Sequence, residues 1–306
     1  MPLVSPPALQ PGDRIRVVAA SGPVPEDRFH AGLAILRSRY DVLFDPAQVF
    51  ARHGYLAGDD ASRATALNTA FAEPGTKAVW LARGGYGLTR ILSALNFAPL
   101  VSSPKTIVGF SDGTALLAAC ANAGLTSVHG PVVTQLGDLP ADDQEHLWGL
   151  LQGHRPLLLA DLDGLTPGTA AGPLVGGNLE VFSRLLGTPY LPTAVHGAVL
   201  FLEDVGERPY RIDRLLTHLH SAGVFSSVCG LVLGEFVHCQ DPSSVTPGTS
   251  DSPLVQDVLR EKLGRLKIPV ALGGQFGHGK RNRALPYGTR VVLDVAGRGQ
   301  GVLNLE

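Results

Sequence analysis

Apolar positions gather into short runs, and the segments between them carry helical spacing. Residues 14–20 (RIRVVAA) predict a buried first strand that ends at Ser21-Gly22-Pro23. Phe29, Leu33 and Leu36 then recur at i, i+4 and i+7, one face of a helix. A second strand is expected at 40–43, and a helix at 60–72 with Leu67 and Phe71 on one face. A third strand follows at 77–82 (KAVWLA) and a fourth at 106–110, and an apolar helical run starts at Thr114. Strands alternating with helices at these intervals predict an α/β fold with a mostly parallel sheet.

Around residues 161–173 (DLDGLTPGTAAGP) the periodicity lapses into Gly, Pro and Thr. This stretch reads as a linker between an N-terminal α/β domain, 1–160, and a smaller C-terminal domain with its own sheet, 174–306. The second half opens with a helix carrying Leu179, Phe182 and Leu186. A strand at 198–202 (AVLFL) runs straight into Glu203-Asp204. An amphipathic helix at 210–220, a buried strand at 228–234, a polar loop at 241–253 and a helix at 253–263 come next. A strand starts at 270–271, and a last one is expected at 289–294. No internal repeat is visible.

With 306 residues the chain has room for two compact domains. A formal net charge of −2 argues against nucleic acid or an anionic membrane as the main partner. Cys120, Cys229 and Cys239 are few and far apart, which suits a reducing compartment and gives neither a disulfide framework nor zinc spacing. The N-terminal stretch lacks the charge and apolar pattern of a signal peptide, and no run approaches a membrane span. A soluble, cytoplasmic protein is expected.

The chemistry centres on residues 106–113, TIVGFSDG. Strand, G-x-S-x-G, helix is the order of a nucleophile elbow, in which a sharp turn lifts the serine above the sheet at a helix N-terminus. Ser111 is the candidate nucleophile. The alternative is a glycine-rich turn with a capping Ser or Asp. A second glycine turn, Arg83-Gly84-Gly85-Tyr86-Gly87, follows the third strand, so both lie on the edge where open α/β sheets bind ligands. G-G-x-G is not a dinucleotide fingerprint. A backbone N–H of Gly84 or Gly85, with that of Asp112, could instead hold an oxyanion; a tight packing turn is the plainer alternative. A serine needs a base and the base an orienting acid. His278 stands out among ten histidines because glycines flank it in GGQFGHG. Glu203 ends an apolar strand and is favoured as the acid over Asp204, which alternation would place on the opposite face. Either carboxylate could instead pair with Arg208, Arg211 or Arg214.

With these residues in view, the chain resembles the serine LD-carboxypeptidases, the murein tetrapeptide carboxypeptidase family. The resemblance runs through VVAASGP (from Val17), GYLAGDDASRATALNTAF (from Gly54), ARGGYGLTRIL (from Ala82), IVGFSDGTALL (from Ile107) and HGPV (from His129). It continues in LVGGNLEVFSRLLGTP (from Leu174), LFLEDVGERPYRIDRLL (from Leu200) and FGHGKRN (from Phe276). It implies two domains sharing a triad, with Ser111 as nucleophile, His278 as base and Glu203 as orienting acid. It further implies a murein peptide substrate ending in diaminopimelate or lysine followed by D-alanine, no metal or other cofactor, and a homodimer. Arg83 is a candidate anchor for the terminal carboxylate by position alone. The competing reading within the family is a microcin-immunity peptidase that cleaves peptidyl nucleotides. Such enzymes tend to carry an aromatic insertion near the site, and neither Trp80 nor Trp148 falls between Glu203 and His278. An esterase would want a large apolar lid, and a nucleotide-binding module a complete phosphate loop; the sequence shows neither.

Overall fold

The alternating pattern of the first half becomes five strands in a computed structural model that describes residues 3–240 and 254–306. They are β1 (Arg14–Val18), β2 (Asp41–Leu43), β3 (Thr76–Leu81), β4 (Thr106–Gly109) and β5 (Ser127–His129). The second half supplies β6 (Leu159–Thr166), β7 (Gly168–Asn178), β8 (Val199–Val205), β9 (Gly230–Val237) and β10 (Val270–Leu272). Three more follow: β11 (Leu285–Tyr287), β12 (Arg290–Val295) and β13 (Gly301–Leu305). The first sheet has the order β11-β5-β4-β3-β1-β2, parallel except for β11, which runs antiparallel to β5. The remaining seven strands close a barrel in the order β10-β6-β13-β12-β7-β8-β9.

Both faces of a parallel sheet must be covered. Ile15, Val17 and Trp80 face one core with Phe29, Leu33 and Leu36 of the helix Glu26–Arg37. Val18, Leu81 and Ile107 face the other, where the helices Asp60–Ala72 and Thr114–Asn122 lie. The second of these is apolar on every side, and all its residues but the last are buried. It can afford no polar face because it lies between the sheet and the barrel, whose Leu174, Phe201 and Leu231 continue the same core.

Residues 161–173, expected as a linker, are instead barrel strand, divided between β6 and β7. Their glycines serve close backbone approach rather than a loop: a Cβ on Gly172 would lie 2.1 Å from the carbonyl oxygen of Gly197. The second half also returns β11 to the first sheet, so the chain crosses between the two sheets on either side of β11. The polar loop expected at 241–253 lies outside the described residues. The order 2-1-3-4-5 of the parallel strands brings the carboxyl ends of β1, β3 and β4 side by side, the usual place for a ligand in such a sheet.

Candidate active site

β4 ends at Gly109, Phe110 is extended, and Ser111 turns sharply with φ 62° before the helix Thr114–Asn122 begins. A left-handed φ strains a residue with a Cβ, and at a strand-to-helix turn it marks a nucleophile elbow. The turn after β3 packs directly on this serine. A Cβ on Gly84 would sit 2.7 Å from Ser111 Cβ and 2.9 Å from its Oγ, so only glycine fits beside this serine. Gly84 is also tied to the turn after β1, because its carbonyl accepts from Gly22 N–H at 3.0 Å.

Asp112 is buried, and its carboxylate accepts from Ser21 Oγ at 2.6 Å and from Leu88 N–H at 2.9 Å. Burial pushes this carboxyl above its ordinary range, with those donors acting in the opposite direction. The side chain thus joins the turns after β1, β3 and β4, a role its place in G-x-S-x-G does not announce.

His278 reaches Ser111 from the segment between β10 and β11. Its Nε2 lies 3.1 Å from Ser111 Oγ, and its Nδ1 lies 2.7 Å from Glu203 Oε2. Glu203 is fully buried at the end of β8, while His278 keeps 18% of its side-chain surface exposed. The Phe110 ring lies against the imidazole, centroids 4.4 Å apart. Beneath Phe110 sits His129, fully buried among Phe110, Phe201 and Phe276. Burial, with a smaller contribution from His278, lowers the His129 pKa to about 3, so this second imidazole is neutral.

Glu203 and Asp204, which alternation would place on opposite faces of the strand, are both buried. The pairing of β8 with β9 shifts register here, with the two steps from Leu202 to Asp204 spanning three on β9, from Leu233 to Phe236. Asn178, which caps the helix Leu179–Arg184, donates from Nδ2 to Glu203 Oε1 at 3.3 Å and to Asp204 Oδ1 at 3.1 Å. Its backbone N–H donates to Thr114 Oγ1 at 3.0 Å, which fastens the acid side to the start of the nucleophile helix. Asp204 also accepts from the amides of Val205 and Glu180. Burial and the neighbouring Glu203 charge raise its pKa to about 7. Neither carboxylate pairs with Arg208, Arg211 or Arg214 among the described residues; Arg211 pairs with Glu207, and Arg214 lies over the Tyr210 ring.

The His278 segment is clamped to the other half of the molecule. Asn282 Oδ1 accepts from Gly277 N–H at 3.1 Å, and Asn282 Nδ2 donates to Gln135 Oε1 at 3.1 Å. Arg281 forks onto the fully buried Asp143, with Nη2 to Oδ1 at 2.6 Å and Nε to Oδ2 at 3.1 Å, and also reaches Asp142. Sequence reading did not single out Asn178, Asn282, Arg281 or Asp143. The one visible signal was an Asn closing an apolar strand after two glycines. Arg83, proposed as an anchor by position, is half-buried and donates to the Pro23 carbonyl. No group of three or more His, Cys, Asp or Glu among the described residues is placed to hold a metal ion. No described helix is long and apolar enough to cross a membrane.

This geometry is a strained serine, an imidazole and a buried carboxylate in one line. Residues 15–130 match the family model described as the LD-carboxypeptidase N-terminal domain, and residues 171–293 match that of the C-terminal domain. The protein belongs to the LD-carboxypeptidase family. Membership makes it a serine-type peptidase, and the fold expected from the sequence is the fold of this family. The murein tetrapeptide carboxypeptidase of Pseudomonas aeruginosa is 34% identical over 299 residues, covering 93% of this chain and 94% of that one. A crystal structure of muramoyltetrapeptide carboxypeptidase from Oxalobacter formigenes superposes with a TM-score of 0.82 at 32% identity, over 95% of this chain and 98% of that one. The microcin C7 self-immunity protein of Escherichia coli is 26% identical, over 96% of this chain and 93% of its own.

Proposed function

We propose that the protein is a serine carboxypeptidase that cleaves the L,D-amide bond before the terminal D-alanine of murein tetrapeptides, in cytoplasmic recycling of peptidoglycan. The reading rests on the unbroken line from Ser111 Oγ through His278 to Glu203, at 3.1 and 2.7 Å. His278 takes the Ser111 proton as Oγ attacks the carbonyl carbon. The oxyanion is held by the N–H of Asp112 and one from Gly84 or Gly85, each donor being worth roughly 10²–10³ in rate. His278 then gives its proton to the departing amine of D-alanine as the C–N bond breaks. Water, activated by the same imidazole, hydrolyses the acyl-serine. Glu203 holds the ring in the required tautomer and stabilises the imidazolium. Arg83 faces the leaving carboxylate in this scheme. A homodimeric state belongs to the same reading and is supported by the sequence resemblance.

Kinship to the microcin self-immunity protein makes peptidyl nucleotides the alternative substrate. The two tryptophans do not favour it, since Trp80 and Trp148 are core residues whose rings lie 6.2 Å apart. The deciding experiment is mass spectrometry of L-Ala-γ-D-Glu-diaminopimelate-D-Ala incubated with wild type and with Ser111→Ala. Loss of one alanine with wild type alone supports the proposal. Loss with neither protein moves the assignment to peptidyl nucleotides, and loss with both removes Ser111 as nucleophile.

A further inference from the structure

One buried cation beneath the turns around Ser111 takes no part in the triad. On the helix Asp60–Ala72 the buried positions are Arg63, Ala64, Leu67, Ala70 and Phe71. Arg63 therefore stands in an apolar stripe, where helical spacing would put a leucine or methionine. It is fully buried. Burying a guanidinium is costly, and an apolar side chain of similar volume would pack there without that penalty.

What the guanidinium touches accounts for its presence. Nη1 donates to the Ala20 carbonyl, just past β1, at 2.6 Å. A Cβ on Gly87 would lie 2.5 Å from the same Nη1, so the guanidinium abuts the end of the turn after β3. Nη2 pairs with Asp60. That carboxylate also takes Arg90, Nε at 2.9 Å and Nη2 at 2.7 Å, from the helix Leu88–Ile91 that follows the turn. Asp112 holds the next residue in each case, through Ser21 Oγ and Leu88 N–H. Burial pushes the Asp112 carboxyl up, while its donors and the charge of Arg63 favour the ionised form. Ala20 and Gly87 thus meet a buried cation, and Ser21 and Leu88 a buried anion. The turn held in this way carries Gly84 and Gly85, and Gly84 packs on Ser111 itself. We propose that Arg63 is a positioning residue for the oxyanion hole, which with Asp112 fixes the turn from Gly84 to Leu88 against Ser111, an inference resting on the oxyanion reading above.

The test reads Ser111 with a fluorophosphonate, which forms an Oγ–P bond as fluoride leaves and the Oγ proton passes to His278. Arg63→Met should slow this labelling by roughly tenfold to a hundredfold, part of what a lost oxyanion donor costs. Asp112→Asn should slow it to a similar degree. The double variant should be no slower than the slower single one, because both residues hold one turn. Arg63→Lys keeps the charge and should recover part of the rate. On the murein tetrapeptide, Arg63→Met should lower kcat by the same factor and leave KM within about twofold. Each rate is referred to the folded fraction, read by denaturant unfolding of the same sample. Where Arg63→Met does not fold, Arg63→Gln carries the same cycle with Asp112→Asn. A folded Arg63 variant without the charge that is labelled at the wild-type rate, or losses that multiply in the double variant, overturns the inference. The expected labelling losses with no alanine released by wild type remove the tetrapeptide reading and leave this one standing. Wild type that the fluorophosphonate does not label overturns both.

Discussion

The proposed nucleophile and the proposed base reach the same point by different means. Ser111 is placed by five consecutive residues and a glycine turn packed on it, within a sheet whose strand ends lie together by topology. His278 sits on a segment with no regular structure, and what fixes it comes from far away in sequence: Asp143 and Gln135 through Arg281 and Asn282, and Glu203 through its own ring. Local strain positions one partner, while long-range polar contacts position the other. The serine side should therefore tolerate changes in distant contacts, and the histidine side should not.

The largest effects should come from the line of atoms itself. Ser111→Ala and His278→Ala should each lower kcat on the tetrapeptide by about 10⁴-fold or more, and the double variant should be no worse than either, because the two act as a unit. Additive losses would break the proposed relay. Glu203→Gln should cost about 10³–10⁴ in kcat through the wrong tautomer, with the fold retained.

The clamp comes next and addresses the comparison directly. Asp143→Ala should leave Arg281 without its main partner, and Arg281→Ala should leave the buried Asp143 carboxylate with only Arg283, 3.8 Å away, and lower stability in denaturant unfolding. The double variant should be more stable than Arg281→Ala. Arg281→Lys should recover part of kcat, since a point charge still meets Asp143 but cannot fork onto it. A clamp that mattered only for stability would leave kcat of the folded fraction at the wild-type value in all four variants.

The smallest effect is on pH, where the two halves pull in opposite directions. Asp204 in the barrel has a folded pKa of about 7, above the usual carboxylate value of about 3.9. The native state therefore holds more protons than the unfolded chain across that window, and this contribution to stability is lost as pH rises from about 4 through 7. His129 in the parallel sheet has a folded pKa of about 3, below the free value of about 6.5. Its contribution is present above pH about 6.5 and lost as pH falls toward 3. Thermal melts of Asp204→Asn should rise more steeply with pH between 4 and 7 than wild type. Melts of His129→Phe should rise less steeply than wild type over the same range.

The sequence by itself determined the alternation of strands and helices, the elbow at Ser111 and the candidacy of His278 and Glu203. Those features are written in short-range spacing: a period of 3.6, a run of buried residues, glycines two places either side of a serine. The family motifs added the order in which the three would meet. Tertiary structure decided the rest. Glycine-rich residues 161–173 became barrel strands because neighbouring backbones pack where side chains would be, which no local pattern records. Asn178, at the end of the neighbouring strand β7, ties Glu203 and Asp204 into one polar network, a contact that strand alternation alone does not supply. The partners that hold His278 lie about 140 positions from it in the chain, and choosing among such distant contacts is a matter of packing free energy rather than sequence period.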